Sequence, residues 1–300
     1  MDADLRLLHG VVPATVTVAA EIPADHASAA ILGTSRAGTG AVVDQDGTVL
    51  TVNYVVLGAS RCTVTDLEGR RVAARVVAQD FATGIAVLAT GLDTPSCFAP
   101  GSSQLLPPGH DCFLVASAGP TERRSASGFV VSDDSFDAYW EYFLPRALWT
   151  NVSNPGLGGA PLCDARGRLC GVASLNLGTI GRSTLAIPAE HYFDHADELL
   201  REGRRTTRAP RAWIGLFCYA LPDRTVVTGL IPGSPGERCG LETGDLLVGV
   251  GDKPVTGRLS FYEDLWCRRP GDDIDLKVMR NGRLRPVTVT TGDAEAFFSA

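Results

Sequence analysis

Turn signals recur about every ten residues along this chain, and short apolar or β-branched runs fill the gaps. Val11-Val12-Pro13-Ala14-Thr15-Val16-Thr17-Val18 alternates as a half-buried strand does. Gly38 to Val43 and Thr48 to Val52 flank Asp44-Gln45-Asp46-Gly47, a hairpin with Asp-Gly turn chemistry. Cys62 to Thr65 and Arg71 to Val77 flank Glu68-Gly69, and Ile85 to Leu88 reads as a buried strand. Asp111 to Ala116, Ser127 to Val131, Ala147 to Thr150, Gly171 to Leu175 and Ser183 to Ile187 continue the series. Such a string of short strands with regular turn signals predicts β-sandwiches or barrels. The 33 glycines and 18 prolines fit that many turns, and 45% hydrophobic content is ample for buried cores.

The pattern changes once. Pro188 opens the first helical stretch, Ala189 to Glu202, with Tyr192, Ala196, Leu199 and Leu200 on one face. His191 and His195 are i,i+4 on it, but Tyr192 stands where a zinc protease would carry its base, so a solvated face is the reading and no metal is expected. Arg201, Arg204, Arg205, Arg208 and Arg211 then form a solvated charge run typical of a linker. Beyond it lies a module of five or six strands and two helices. Trp213 to Tyr219 and Thr225 to Leu230 read as strands, and Gly233 to Leu241 as a turn, a short helix and a glycine cap. Ser260 and Glu263 read as the capping box of a second helix, and Asn281-Gly282 as a hairpin turn. The expected division is a β-rich domain over 1–203, a linker over 204–211, a module over 212–293 and a tail over 294–300.

The formal charge of −7 argues against nucleic acid or an anionic membrane as the main partner. No run of about 18 apolar residues occurs, so no membrane span is expected. Met1-Asp2-Ala3-Asp4-Leu5-Arg6 lacks the features of an export signal, which predicts a cytoplasmic location. None of the eight cysteines forms a C-x-x-C pair. Cys163 and Cys170 flank the turn Asp164-Ala165-Arg166-Gly167, where a cross-strand disulfide is one alternative and two reduced core thiols the other.

One stretch reads as chemical machinery: Asn154-Pro155-Gly156-Leu157-Gly158-Gly159-Ala160-Pro161-Leu162. Glycine and proline force a tight bend of the kind that presents a nucleophile and aims N–H groups at an oxyanion. Yet no Ser, Thr or Cys lies between Asn154 and Cys163.

Four landmarks in order resemble the HtrA family, trypsin-like serine proteases with a C-terminal PDZ domain. Leu50-Thr51-Val52-Asn53-Tyr54-Val55-Val56 resembles the family's strand ending in Asn-His-Val-Val. Gly84-Ile85-Ala86-Val87-Leu88 resembles Asp-Leu-Ala-Val-Leu, the 154–162 turn resembles Asn-Pro-Gly-Asn-Ser-Gly-Gly-Pro-Leu, and Ala186-Ile187-Pro188 matches Ala-Ile-Pro before a helix. The resemblance covers most of residues 11–292. It implies an all-β fold, a trypsin-like double β-barrel followed by a PDZ domain. It also implies that the triad positions hold Tyr54, Gly84 and Gly158. A triad needs an imidazole, a carboxylate and a hydroxyl. Tyr54 is no base near neutral pH and the glycines have no side chain, so no catalytic residues are expected and the reading is a pseudoprotease. Asp80, Cys163 and the His110-Asp111-Cys112 run are the candidates for a relocated triad, which would make the chain an active serine- or cysteine-type endopeptidase instead.

Gly156, Leu157 and Gly158 are expected to keep the shape of an oxyanion turn. In the PDZ part the resemblance makes Trp213-Ile214-Gly215-Leu216 the carboxylate-binding loop, with Phe217 on the edge strand and Phe261 and Leu265 walling the groove. Peptides or protein C-termini are then the partners, bound as an added strand, with no cofactor required and a homo-oligomer, a trimer in many HtrA-like proteins, implied. A purely structural subunit with a closed groove is the third class of reading.

Overall fold

The computed structural model describes residues 10–93, 96–177, 183–222 and 224–299. The chain divides into two compact units. The first comprises residues to Ala24, Leu32–Phe136 and Leu144–Thr206. The second comprises Asp25–Ile31, Asp137–Phe143 and the chain from Thr207 onward.

In the first unit, β1 (Thr15–Glu21), β2 (Ser35–Val42), β3 (Thr48–Val52), β4 (Arg61–Thr65), β5 (Arg71–Asp80) and β6 (Ile85–Thr90) close a barrel in the order β1-β2-β3-β6-β5-β4. Closure leaves no edge strand exposed. All five residues of β3 are buried, and Val16, Val18, Leu50, Val64 and Leu88 lie in the interior. Each such side chain contributes about 1.5–3 kcal/mol relative to exposure.

A second barrel uses β7 (Asp111–Ser117), β8 (Arg123–Ser132), β11 (Leu148–Thr150), β12 (Ala160–Asp164), β13 (Leu169–Leu177) and β14 (Ser183–Pro188), in the order β11-β14-β13-β12-β7-β8. Between β8 and β11 the chain makes a two-stranded ribbon of β9 (Phe136–Asp137) and β10 (Phe143–Leu144). Leu114, Leu148, Leu162, Cys170 and Ala186 belong to the barrel's core. Cys163 and Cys170 are buried free thiols, so the disulfide alternative is not realised.

Helices are few in this unit. Asn53–Val56 forms α1 directly after β3. The stretch expected as one helix over Ala189 to Glu202 is two: α2 (Glu190–Phe193) and α3 (Ala196–Glu202). His195, at φ −137°, breaks the run between them, so His191 and His195 do not share a continuous helix. Gly203 ends α3 in the left-handed conformation usual for a C-cap glycine. Among the described residues no helix is long and apolar enough to cross a membrane, and no three His, Cys, Asp or Glu groups gather as a metal site.

The second unit is an antiparallel sheet of β15 (Leu216–Leu221), β16 (Arg224–Leu230), β17 (Leu246–Val250), β19 (Asp273–Arg280) and β20 (Arg283–Thr290), with β18 (Lys253–Pro254) pairing β17. Its later part carries α4 (Pro235–Arg238), α5 (Arg258–Trp266) and α6 (Ala294–Phe298). Ser234 caps α4, its Oγ accepting from Glu237 N. Ser260 is not the cap of α5. It sits one turn inside, and its Oγ accepts from the N–H groups of Thr256 and Gly257. The core gathers Ile214, Leu216, Leu247, Phe261, Tyr262, Leu265, Ile274 and Leu276.

Two expectations at the margins change. The stretch expected as a tail carries α6, whose Phe297 ring packs 4.8 Å from Trp213 between centroids. Within the expected charge run, Arg205 is not solvated: it pairs with Glu198 at 2.8 Å, both side chains nearly buried.

Candidate functional site

In the first unit the polar side chains on β2, β3 and β7 set the turn at 154–159. Thr51 Oγ1 donates to Thr39 O at 2.8 Å, and Thr39 Oγ1 donates to Leu157 O at 2.8 Å while accepting from Ser117 N at 3.0 Å. Thr17 and Ser117 share a 2.6 Å hydroxyl contact. These groups are buried and mutually satisfied, which makes them a rigid, specific link between the two barrels. The backbone completes it, with Thr39 N donating to Gly158 O at 2.7 Å.

The turn spends its own N–H groups inside the protein. Gly156 N donates to Asn154 Oδ1 at 3.2 Å, Leu157 N to Ser117 O at 2.9 Å and Gly159 N to Ala173 O at 2.7 Å. The bend expected at Gly156, Leu157 and Gly158 is present, but the N–H groups of Gly156 and Leu157 already have acceptors.

Tyr54 projects from α1, and its hydroxyl donates to Ser174 O at 2.7 Å. Burial pushes the phenol up to about 12, so it stays protonated across the physiological range. A Cβ placed on Gly158 would lie 2.0 Å from Tyr54 Oη. The tyrosine hydroxyl therefore stands in the space that a side chain at 158 would need. Gly84 occupies a tight turn at φ +82°, its N–H donating to Asp80 O at 2.7 Å and its carbonyl accepting from Asn53 N at 2.7 Å.

The relocated candidates are placed for structural work. Asp80 is buried at the end of β5 and accepts from Ala82 N at 3.1 Å, closing the 80–84 turn. Cys163 is fully buried, and burial raises its thiol well above the ordinary value. Burial likewise pushes Cys112 up to about 12. A thiol so held is no nucleophile at neutral pH. His110 is exposed in the loop before β7, its N–H donating to Pro107 O.

In the second unit the loop Trp213–Leu216 presents three consecutive N–H groups, and all three meet one carboxylate. Ile214 N donates to Glu141 Oε2 at 3.0 Å. Gly215 N and Leu216 N donate to Glu141 Oε1 at 2.6 and 2.8 Å. Gly215 is needed for this bend, since its φ is +83° and a Cβ would fall 2.3 Å from that of Ser234. One step along, Cys218 N on β15 donates to Tyr139 O at 2.7 Å. Tyr262 Oη donates to Ala138 O and accepts from Glu141 N, both at 2.8 Å. Arg258 pairs with Asp137 at 2.6 Å. Residues 137–141 thus lie along β15 and α5.

The expected groove residues divide. Ile214, Gly215 and Leu216 form the N–H loop, and the Phe217 ring lies 5.8 Å from that of Tyr139. Trp213 is buried instead against Phe297 and Phe298 of the C-terminal helix. Phe261 and Leu265 are fully buried in the core. The polar α5 contacts to the segment come from Tyr262 and Arg258, one position after Phe261 and at the helix start. The sequence reading missed both, and it missed Glu141. A signal was there: Phe136, Tyr139, Trp140, Tyr142 and Phe143 put five aromatic residues into eight positions between barrel strands, in a chain that is 7% aromatic.

Burial pushes the Glu141 carboxyl up to about 7, against the opposing pull of the three N–H groups. Glu141 also holds φ +48°, uncommon for a residue with a side chain.

Comparison with known proteins agrees with this architecture. The trypsin-like peptidase domain profile matches residues 38–172 and the PDZ domain profile residues 207–291. A protein of Halomonas elongata named a probable periplasmic serine endoprotease DegP-like is 29% identical over 272 residues, covering 85% of this chain and 56% of that protein. The serine protease Do-like HtrB of Bacillus subtilis is 27% identical over 271 residues, covering 81% and 58%. The chain thus spans a little over half the length of these curated relatives. Among solved structures, the HtrA-type protease AlgW with a tripeptide aligns at TM-score 0.59 and 22% identity, covering 96% of both chains. A serine endoprotease from Yersinia pestis aligns at TM-score 0.56 and 23% identity, covering 96% and 97%. These two show the shared fold.

The relatives from Halomonas elongata, Marinomonas sp. and Hahella chejuensis are all named periplasmic, which overturns the expectation of a cytoplasmic location. The chain carries a trypsin-like peptidase domain followed by a PDZ domain, and in that order it is similar to serine endoproteases of the HtrA type.

Proposed function

We propose that this chain is a proteolytically inactive HtrA-type protein that captures peptides or protein C-termini through its PDZ domain, as a scaffold or regulator in the periplasm. The observation that carries the inactive reading is the Tyr54 hydroxyl, bonded to Ser174 O and standing 2.0 Å from where a Cβ at Gly158 would lie. A phenol held up to about 12 takes no proton from a nucleophile at neutral pH, and position 158 offers none. Losing a whole triad costs on the order of 10⁶ in kcat. Capture of a peptide is supported by the three convergent N–H groups of Ile214, Gly215 and Leu216 and by Cys218 N on β15, which donates to a backbone carbonyl outside the sheet. That is the geometry of strand addition with a carboxylate at its end. We further propose that the chain assembles as a homotrimer.

A second reading is favoured by the names of the relatives, which are serine endoproteases. On it, the chain cleaves peptides with relocated residues. The two separate in one experiment. The full chain is treated with a fluorophosphonate probe and assayed on casein, and screened on an array of peptides with free C-termini. The inactive reading expects no labelling, no cleavage, and peptide binding that is lost when Gly215 is replaced. Labelling and cleavage that vanish with a single Ser or Cys substitution would establish the enzyme reading instead.

A further inference from the structure

The carboxylate loop of the second unit already holds a carboxylate. Its three N–H groups converge on Glu141, and the segment leading to it supplies what a bound peptide would supply. Tyr139 O accepts from Cys218 N on β15. Ala138 O accepts from the Tyr262 hydroxyl, which itself accepts from Glu141 N. Asp137 is held by Arg258, whose guanidinium also reaches the Asp137 carbonyl at 2.7 Å. The rings of Tyr139 and Phe217 meet at 5.8 Å and those of Phe143 and Trp266 at 6.4 Å. Four of the five residues 137–141, namely Asp137, Ala138, Tyr139 and Glu141, therefore engage the N–H loop, β15 or α5, and the last is held by its side-chain carboxylate in place of a chain terminus.

We propose that residues 137–141 are an internal ligand of the PDZ groove, with Glu141 standing in for a C-terminal carboxylate, and that a partner peptide binds only by displacing it. This rests on the peptide-binding reading given above. It fixes the chemistry of the partner: an extended segment ending in a free carboxylate, with a backbone carbonyl for Cys218 N and an aromatic residue able to face Phe217. It also makes the site regulated, because a tethered ligand acts at an effective concentration near the millimolar range without being consumed. One feature makes displacement attainable. Glu141 is held at a positive φ, a strained conformation for a residue with a side chain.

The test uses the full chain and a fluorescein-labelled heptapeptide, Ser-Phe-Asp-Ala-Tyr-Trp-Glu with a free C-terminus, copying residues 135–141. Wild type, Glu141→Gln and Glu141→Ala are compared by fluorescence anisotropy. Amide NMR of Ile214, Gly215 and Leu216 is recorded for each without peptide. The proposal expects those three amides to shift in both variants, and Glu141→Ala to bind the heptapeptide at least about tenfold more tightly than wild type. Equal binding by wild type and Glu141→Ala, with unmoved amides, overturns the internal ligand and leaves the peptide-binding reading standing. If neither protein binds the heptapeptide or any peptide of the array, the peptide-binding reading fails and the competition with it. Unchanged amide spectra elsewhere in the chain certify that the variants are folded.

Discussion

Tyr54 and Gly158 are a coupled pair, since one fills what the other leaves empty. Installing Gly158→Ser alone drives a side chain into the Tyr54 hydroxyl, and the expected loss is about 1–3 kcal/mol in denaturant unfolding, as for other overpacked sites. Gly158→Ser in a Tyr54→His background recovers most of it, because the smaller ring vacates the space. The order of change therefore matters: position 54 must give way before position 158 can be refilled. Tyr54→Phe removes one buried hydrogen bond and leaves Ser174 O without its donor, for an expected cost of about 1 kcal/mol. Glu141 carries the pH dependence. Its carboxyl sits near 7 when docked and near the ordinary 4.5 when released, so the docked form binds more protons. Docking is then strongest in acid and weakens as pH rises through the window from about 4.5 to about 7. The groups facing it do not reverse that sign: Cys218 and Tyr262 stay protonated through burial, and Arg258 and Asp137 are paired with each other. The heptapeptide affinity of wild type, measured against Glu141→Gln at each pH, is expected to rise several-fold between about pH 5 and about pH 8.

At the scale of elements, what was legible followed from local chemistry. Asp44 to Gly47, Asp164 to Gly167 and Asn281-Gly282 each turn a hairpin, with registers Ala41↔Leu50, Cys163↔Leu169 and Arg280↔Arg283 around them. Closure of twelve strands into two barrels was legible through the resemblance, since alternation alone does not distinguish a barrel from a sandwich. The helical run at 189–202 misled because periodicity cannot see the break at His195, where the backbone leaves the helical region. Phe261 and Leu265 were expected in the groove, yet a buried apolar residue on an amphipathic helix reads the same whether it lines a groove or a core. Tyr262 was the informative neighbour, because a fully buried phenol must find partners for its hydroxyl. The hairpin β19–β20 depends on a buried charge that no pattern reveals. Asp245 is fully buried, and although burial opposes its charge, Arg280 and the Glu242 N–H hold it below the usual carboxylate range. Arg280→Met strands that charge and is expected to lower the unfolding midpoint of the second unit. Its stability is also expected to fall as pH drops through the lowered Asp245 value, being fully present above the ordinary value near 3.8.

For the molecule as a whole, the sequence division at 204–211 is not the division in space. The second unit draws Asp25–Ile31 and Asp137–Phe143 from within the stretch that precedes it. His26 stacks on Phe298 with ring centroids 6.4 Å apart and bonds its carbonyl at 2.9 Å, so the N-terminal stretch joins the same unit as the C-terminal helix. Such discontinuity is invisible to patterning, which reads neighbours along the chain. It bears on any assay built from a fragment. A truncation starting at Thr207 deletes Glu141 and leaves the three N–H groups of the loop bare. One ending at Asp293 also strips Phe297 from the Trp213 ring. The first is expected to take up the heptapeptide as avidly as Glu141→Ala, and the second to melt at a lower temperature than the first. A fragment used as bait would therefore report a permissive receptor, while the intact chain answers only to ligands strong enough to evict its own.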